Sequence, residues 1–115
     1  MGRECESCIG YWIWLYKHVR DYMDVYRDMK REGEVDWEAL EADLRDDHNI
    51  LWNSVKVACE IPDDEARRID GLFEWAIESA KKKDDWHFWD ALIDIEKSLS
   101  LLDVHVAKKC QRERG

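Results

Sequence analysis

With 115 residues, 45% of them hydrophobic and 39% charged, the chain is long enough for one domain with its own core, which excludes wholesale disorder, and one proline with five glycines excludes a turn-rich β fold. Its formal net charge of −9 disfavours nucleic acid and anionic membranes, whose phosphates require Lys and Arg, and favours a basic protein surface. The apolar run from Ile9 to Tyr16 is too short to span a membrane and runs directly into Lys17, His18, Arg20 and Asp21; a cytoplasmic protein is expected, and the absence of Thr with scarce Asn and Gln is thermophile-like.

The spacing predicts a first helix over 9–31. Trp12, Tyr16, Val19, Met23 and Tyr26 form one apolar stripe, and Tyr11, Leu15, Tyr22, Val25 and Met29 a second beside it. Gly33 suits the left-handed position after the helix. A second helix over 36–60 opens on Asp36 as N-cap, with Val35 and Leu40 spaced as a hydrophobic staple. Its stripe is Trp37, Leu40, Leu44, His48, Leu51, Val55 and Ala58, and Pro62 ends it. A third helix over 62–82 takes Pro62 as its first residue, with Asp63, Asp64 and Glu65 at the positive end of its dipole. Ala66, Ile69, Phe73, Ala76, Ile77 and Ala80 form its stripe.

Lys81, Lys82 and Lys83 suit a helix end and Asp84 and Asp85 a helix start, so a break is expected there although no Gly or Pro marks it. Without that break, residues 63–110 would be one long helix in a hairpin that must oligomerise. The fourth helix, 84–110, carries Phe88, Leu92, Ile95, Leu99, Leu102 and Val106. Short connections give antiparallel neighbours, so the expected fold is a single all-α domain, an antiparallel up-down-up-down four-helix bundle. Gln111 to Gly115 are expected to fray.

In that topology Cys5 and Cys8, before the first helix, share one pole with Cys59 at the end of the second and Cys110 at the end of the fourth. Long-range disulfides, a four-thiolate zinc site with His105 as a substitute ligand, an iron–sulfur cluster and inert buried thiols all fit four gathered sulfurs. Glu4 and Glu6 would raise the neighbouring thiol pKa values, which disfavours disulfide-exchange catalysis.

The Glu-x-x-His pairs of di-metal bundles are missing. His48 and Asp70 fall on apolar stripes in neighbouring layers, and Glu96 sits at a stripe edge, so these three form a candidate buried polar cluster able to hold a proton or a metal. Glu38-x-x-Glu41 and Glu60-x-x-Asp63 resemble the acidic pattern of all-α nucleotide pyrophosphohydrolases. Glu41 and Glu60, however, bracket one helix roughly 28 Å apart and cannot share a magnesium ion within a subunit. No Ser/His/Asp arrangement, phosphate loop or metalloprotease motif is present.

Seven tryptophans exceed what one small core needs. The first helix is apolar on two stripes, and Tyr11, Trp14, Tyr22 and Val25 are the candidate partner or homodimer face. The expectation is a non-enzymatic adaptor or inhibitor, of the kind a virus or mobile element encodes, directed at a basic protein surface. The rival reading is a metal- or redox-linked protein that uses the cysteine pole.

Overall fold

The fold begins with one long rod. Glu4 and Glu6 occupy the first turn of α1 (Arg3–Glu32) and Lys30 and Arg31 its last, so both ends complement the helix dipole. The computed structural model describes residues 3–114 of the chain. The helix starts six residues before the expected Ile9, because Cys8 continues the buried stripe four residues ahead of Trp12. It stops at Gly33, whose φ of +89° lets the Glu34 N–H turn back onto the Met29 carbonyl.

The second rod comprises α2 (Trp37–Asp46), a π-helical turn (Asp47–Trp52) and α3 (Asn53–Ala58). Asp36 caps it by accepting the Ala39 N–H at 3.1 Å. At its end Glu60 takes a φ of +53°, and the Ile61 N–H reaches the Lys56 carbonyl. Pro62 stands as N-cap outside α4 (Asp63–Lys81), one position earlier than expected.

The expected break after α4 is present. Lys83 adopts a φ of +56°, the Asp84 N–H bonds to the Ser79 carbonyl, and the Asp84 side chain caps α5 (Asp85–Leu101) through the His87 N–H. A lysine fills the position usually taken by glycine, which is why composition alone marks this boundary faintly. The fourth expected helix is divided: α6 (Asp103–Arg114) follows a break at Leu102. There the Trp12 indole N–H donates to the Leu99 carbonyl at 2.7 Å, and the Leu102 N–H shares that carbonyl, interrupting the ladder. Helix α6 continues through Gln111 and Arg112, which are helical rather than frayed; Gly115 lies outside the described residues.

The chain is an all-α helical bundle, with no strand among the described residues. Helix α1 packs against the second rod and against α5 and α6, while α4 packs against α2 and α5. Contacts follow opposite order along paired rods: Cys8 meets Cys59 and Tyr22 meets Asp47 on one side of α1, while Trp12 meets Leu99 and Tyr26 meets Asp85 on the other. The shared interior contains Leu15, Val19, Leu44, Trp52, Phe73 and Leu92, all fully buried. Burying such side chains is the main favourable term in folding.

Lys83→Gly removes the left-handed strain at the α4–α5 turn while keeping its hydrogen bonds. It is expected to stabilise the protein by about 1 kcal/mol, read as a melting temperature several degrees higher by circular dichroism.

Candidate functional site

Cys5 and Cys8 lie three residues apart on α1, nearly one turn, and each bridges to a different element. Cys5 pairs with Cys110 of α6 and Cys8 with Cys59 at the end of α3, with Cα–Cα distances of 4.9 and 4.8 Å. The four sulfurs thus gather at one pole, as two disulfides. Cys8 and Cys59 are fully buried, whereas Cys5 and Cys110 are half-buried. Every described cysteine sulfur is committed to a bridge, so the thiolate tetrad that zinc requires is not assembled. Half-buried His105 donates its backbone N–H to the Leu102 carbonyl, and no group of three or more His, Cys, Asp or Glu among the described residues is placed to hold a metal.

Charge reinforces the same pole. The Lys109 ammonium, on a residue 8% exposed, donates to Glu4 Oε2 and Glu60 Oε2, both at 2.9 Å, and Arg112 lies 3.2 Å from Glu60. The hydrogen bond from Lys109 holds the Glu60 carboxyl below its ordinary range, and Glu4 and Glu60 together raise the Lys109 ammonium above its own. Glu41, the other acid of the pyrophosphohydrolase-like pattern, pairs with Arg45 at 3.0 Å, so the two acids are engaged separately.

The π turn is the second polar centre. Asp47 is buried; its Oδ2 accepts the Tyr22 hydroxyl at 2.5 Å and lies 3.3 Å from His18 Nδ1, while the Tyr22 hydroxyl is also 2.8 Å from the Asp43 carbonyl. Burial raises the pKa of both Asp47 and Tyr22. The next residue, His48, turns to the other neighbour. Its Nε2 lies 3.0 Å from Asp70 Oδ1, and its ring stacks on Phe73 with centroids 5.2 Å apart. The Trp52 indole N–H donates to the same Asp70 oxygen at 2.5 Å.

His48 and Asp70 are therefore brought together as expected, and Glu96 is not. Glu96 faces α1, where Arg20 Nη1 lies 3.8 Å away. The α5 helix has α4 on one side and α1 on the other, and a stripe-edge residue can turn either way. Trp52 also belongs to the cluster, and its place four residues after His48, on the same helix face, is the sequence signal for it. Lys56 Nζ lies 3.9 Å from the other Asp70 oxygen, so His48, Trp52 and Lys56 of the second rod all meet one α4 carboxylate, which ties the two rods together.

On the surface, Tyr11, Val25 and especially Trp14, which is 63% exposed, lie outside the core. Tyr22 does not belong to that face: it is only 8% exposed and is anchored to Asp47. Exposed apolar residues also stand at the same level of the second rod. Tyr11 and Trp14 lie between the Cys8–Cys59 and His18–Asp47 contacts of α1, and exposed Ile50 and Val57 lie on the opposing stretch between Asp47 and Cys59. On the other side of α1, Trp12, Ile13 and Tyr16 line a cleft of about 600 Å³ completed by Ser100 and Asp103.

The architecture is that of an all-helical bundle closed at one pole by paired disulfides. No protein family matches the chain, and neither does any curated protein or solved structure.

Two outcomes are expected. Denaturing mass spectrometry without reductant should show two hydrogens fewer per bridge than the reduced chain, with no zinc retained in native spectra; a bound zinc mass would overturn the pairing. Asp47 has a raised folded pKa, so the folded state binds its proton more tightly, and this contribution to stability is lost as pH rises from the ordinary carboxylate range through that pKa. Asp47→Asn should accordingly stabilise the protein at pH 7 by about 1 kcal/mol, with the gain vanishing in acid, as read by urea melts across pH.

Proposed function

We propose that the protein is a non-enzymatic binding module whose α1–α3 seam docks onto a basic surface of a protein partner. The observation that carries this reading is the exposure of four large apolar side chains, Tyr11 and Trp14 on α1 with Ile50 and Val57 at the same level of the second rod, in a chain of net charge −9. Aromatic and aliphatic anchors within a polar rim characterise protein-binding patches. Exposed Asp43 and Asp46 continue the seam beyond Asp47, so acidic charge flanks the patch at one end. A second copy carries the same charge and is repelled, whereas a basic partner is drawn in and held in register. A role as adaptor, or as an inhibitor occupying a partner's own anion-binding surface, follows from this chemistry.

In this reading the His48–Asp70 pair, with Trp52 and Lys56 on the same carboxylate, serves as a tie between rods. No described helix is long and apolar enough to cross a membrane. Two disulfides suit an oxidising compartment or the interior of a hyperthermophile, where such bridges persist.

The test is capture of partners from the native host by the wild-type protein and by Trp14→Ala and Val57→Asp, with Trp86→Ala as a control at an exposed indole outside the seam. Both seam variants should keep the wild-type melting temperature and lose specific capture by about tenfold or more. Capture by the wild type and the control should weaken as salt rises. Unchanged capture by the seam variants would remove this surface from the reading, and a dimer in native mass spectra that dissociates on Trp14→Ala would assign the seam to a second copy.

A further inference from the structure

We propose that the Cys5–Cys110 bridge is a redox modification site for a dithiol reductant, and that its reduction releases α6 from the bundle while Cys8–Cys59 stays closed. The two bridges differ in access. Both residues of the inner bridge are fully buried, whereas both residues of the outer bridge are half-buried, so an attacking thiolate reaches the outer sulfurs first.

The step is thiol–disulfide exchange. A thiolate of the dithiol attacks one sulfur of the outer bridge, forming a mixed disulfide and expelling the other sulfur as a thiolate. The second thiol of the reductant then displaces the attacked cysteine. Cys5 and Cys110 end as thiols, having gained two electrons and two protons, and the reductant ends as a disulfide.

What holds α6 apart from this bridge is slight. The helix has 12 residues, too few for independent stability, and its break from α5 at Leu102 leaves it without a continuous ladder to lean on. Within α6 only Val106 is a buried apolar side chain among the described residues, supplemented by the ion pairs of Lys109 to Glu4 and Glu60 and of Arg112 to Glu60. By contrast, α3 remains tied to α1 by the inner bridge and is continuous with the second rod through the π turn. The hinge at Leu102 bonds to the Leu99 carbonyl that Trp12 also holds, and the cleft beside Trp12 includes Asp103, the first residue of α6. Release of α6 therefore frees Asp103 from that cleft.

The experiment is a dithiothreitol titration of the whole protein, read by differential alkylation and by hydrogen exchange. Cys5 and Cys110 should become alkylated at lower dithiothreitol than Cys8 and Cys59. At that stage the amides of 104–112 should exchange about tenfold faster or more while those of α4 and α5 keep their protection. The Cys5→Ser/Cys110→Ser double variant, with its inner bridge confirmed by mass, should reproduce the exchange pattern without reductant. Reduction of the inner bridge first, simultaneous loss of both bridges with global unfolding, or unchanged protection of 104–112 once the outer bridge is open would each overturn the proposal.

Discussion

Two covalent bonds issuing from one turn of α1 set the boundary conditions for everything else in this molecule. Cys5 and Cys8 fasten residues 105 and 51 positions away. On the chain-entropy account each such closure removes about 4 kcal/mol of freedom from the unfolded chain. Their placement matters as much as their number. The rods they join end at the same pole, and the two terminal pieces, α3 and α6, are short. Lys109 of α6 lies between Glu4 of α1 and Glu60 at the end of α3, so the covalent and ionic ties act on one junction. A charged side chain this enclosed needs its partners, because an unpaired buried ammonium would be costly.

Away from that pole the bundle is held by polar side chains bridging between rods. The π turn presents Asp47 to α1 and the adjacent His48 to α4, so one wide turn connects both neighbours. The tryptophans participate as donors as well as bulk: Trp52 reaches Asp70, and Trp12 reaches the Leu99 carbonyl. The latter bond makes the α5–α6 break a consequence of packing on α1 rather than of any breaker residue in that helix. Each indole thus combines burial with a specific anchor, the combination that distinguishes tryptophan from other core residues.

The helical stripes were legible because burial imposes a period of 3.6: Val19, Leu44, Phe73 and Leu92 lie inside where that pattern puts them. The gathering of the cysteines was legible through chain reversal, although their pairing was not, because Cys5 and Cys8 are so close along α1 that only its rotation between α3 and α6 decides. The π turn left no trace in the pattern, since an extra residue spread over one turn barely shifts a stripe. Tyr22 shows how fine the margin is. It lies eleven residues after Tyr11, which at 100° per residue places it about 20° further round the helix, while Val25 is displaced about 40° the other way. Those rotations carry Tyr22 into the buried arc and leave Val25 outside it.

The same geometry explains why α1 has more apolar surface than the bundle uses. Tyr11, Trp12, Ile13, Trp14 and Leu15 are consecutive, and five residues at 100° steps cover the full circumference of a helix. Two neighbouring rods can cover only part of that circle. Leu15 is buried and Trp12 is anchored toward α5, so Tyr11, Ile13 and Trp14 are left exposed on flanks that no rod of the bundle covers. A strongly acidic chain maintains its solubility through charge, so a fully apolar girdle is not needed for folding or dispersal. The apolar surface left over is therefore a consequence of one five-residue run on a helix with only two neighbouring rods to cover it.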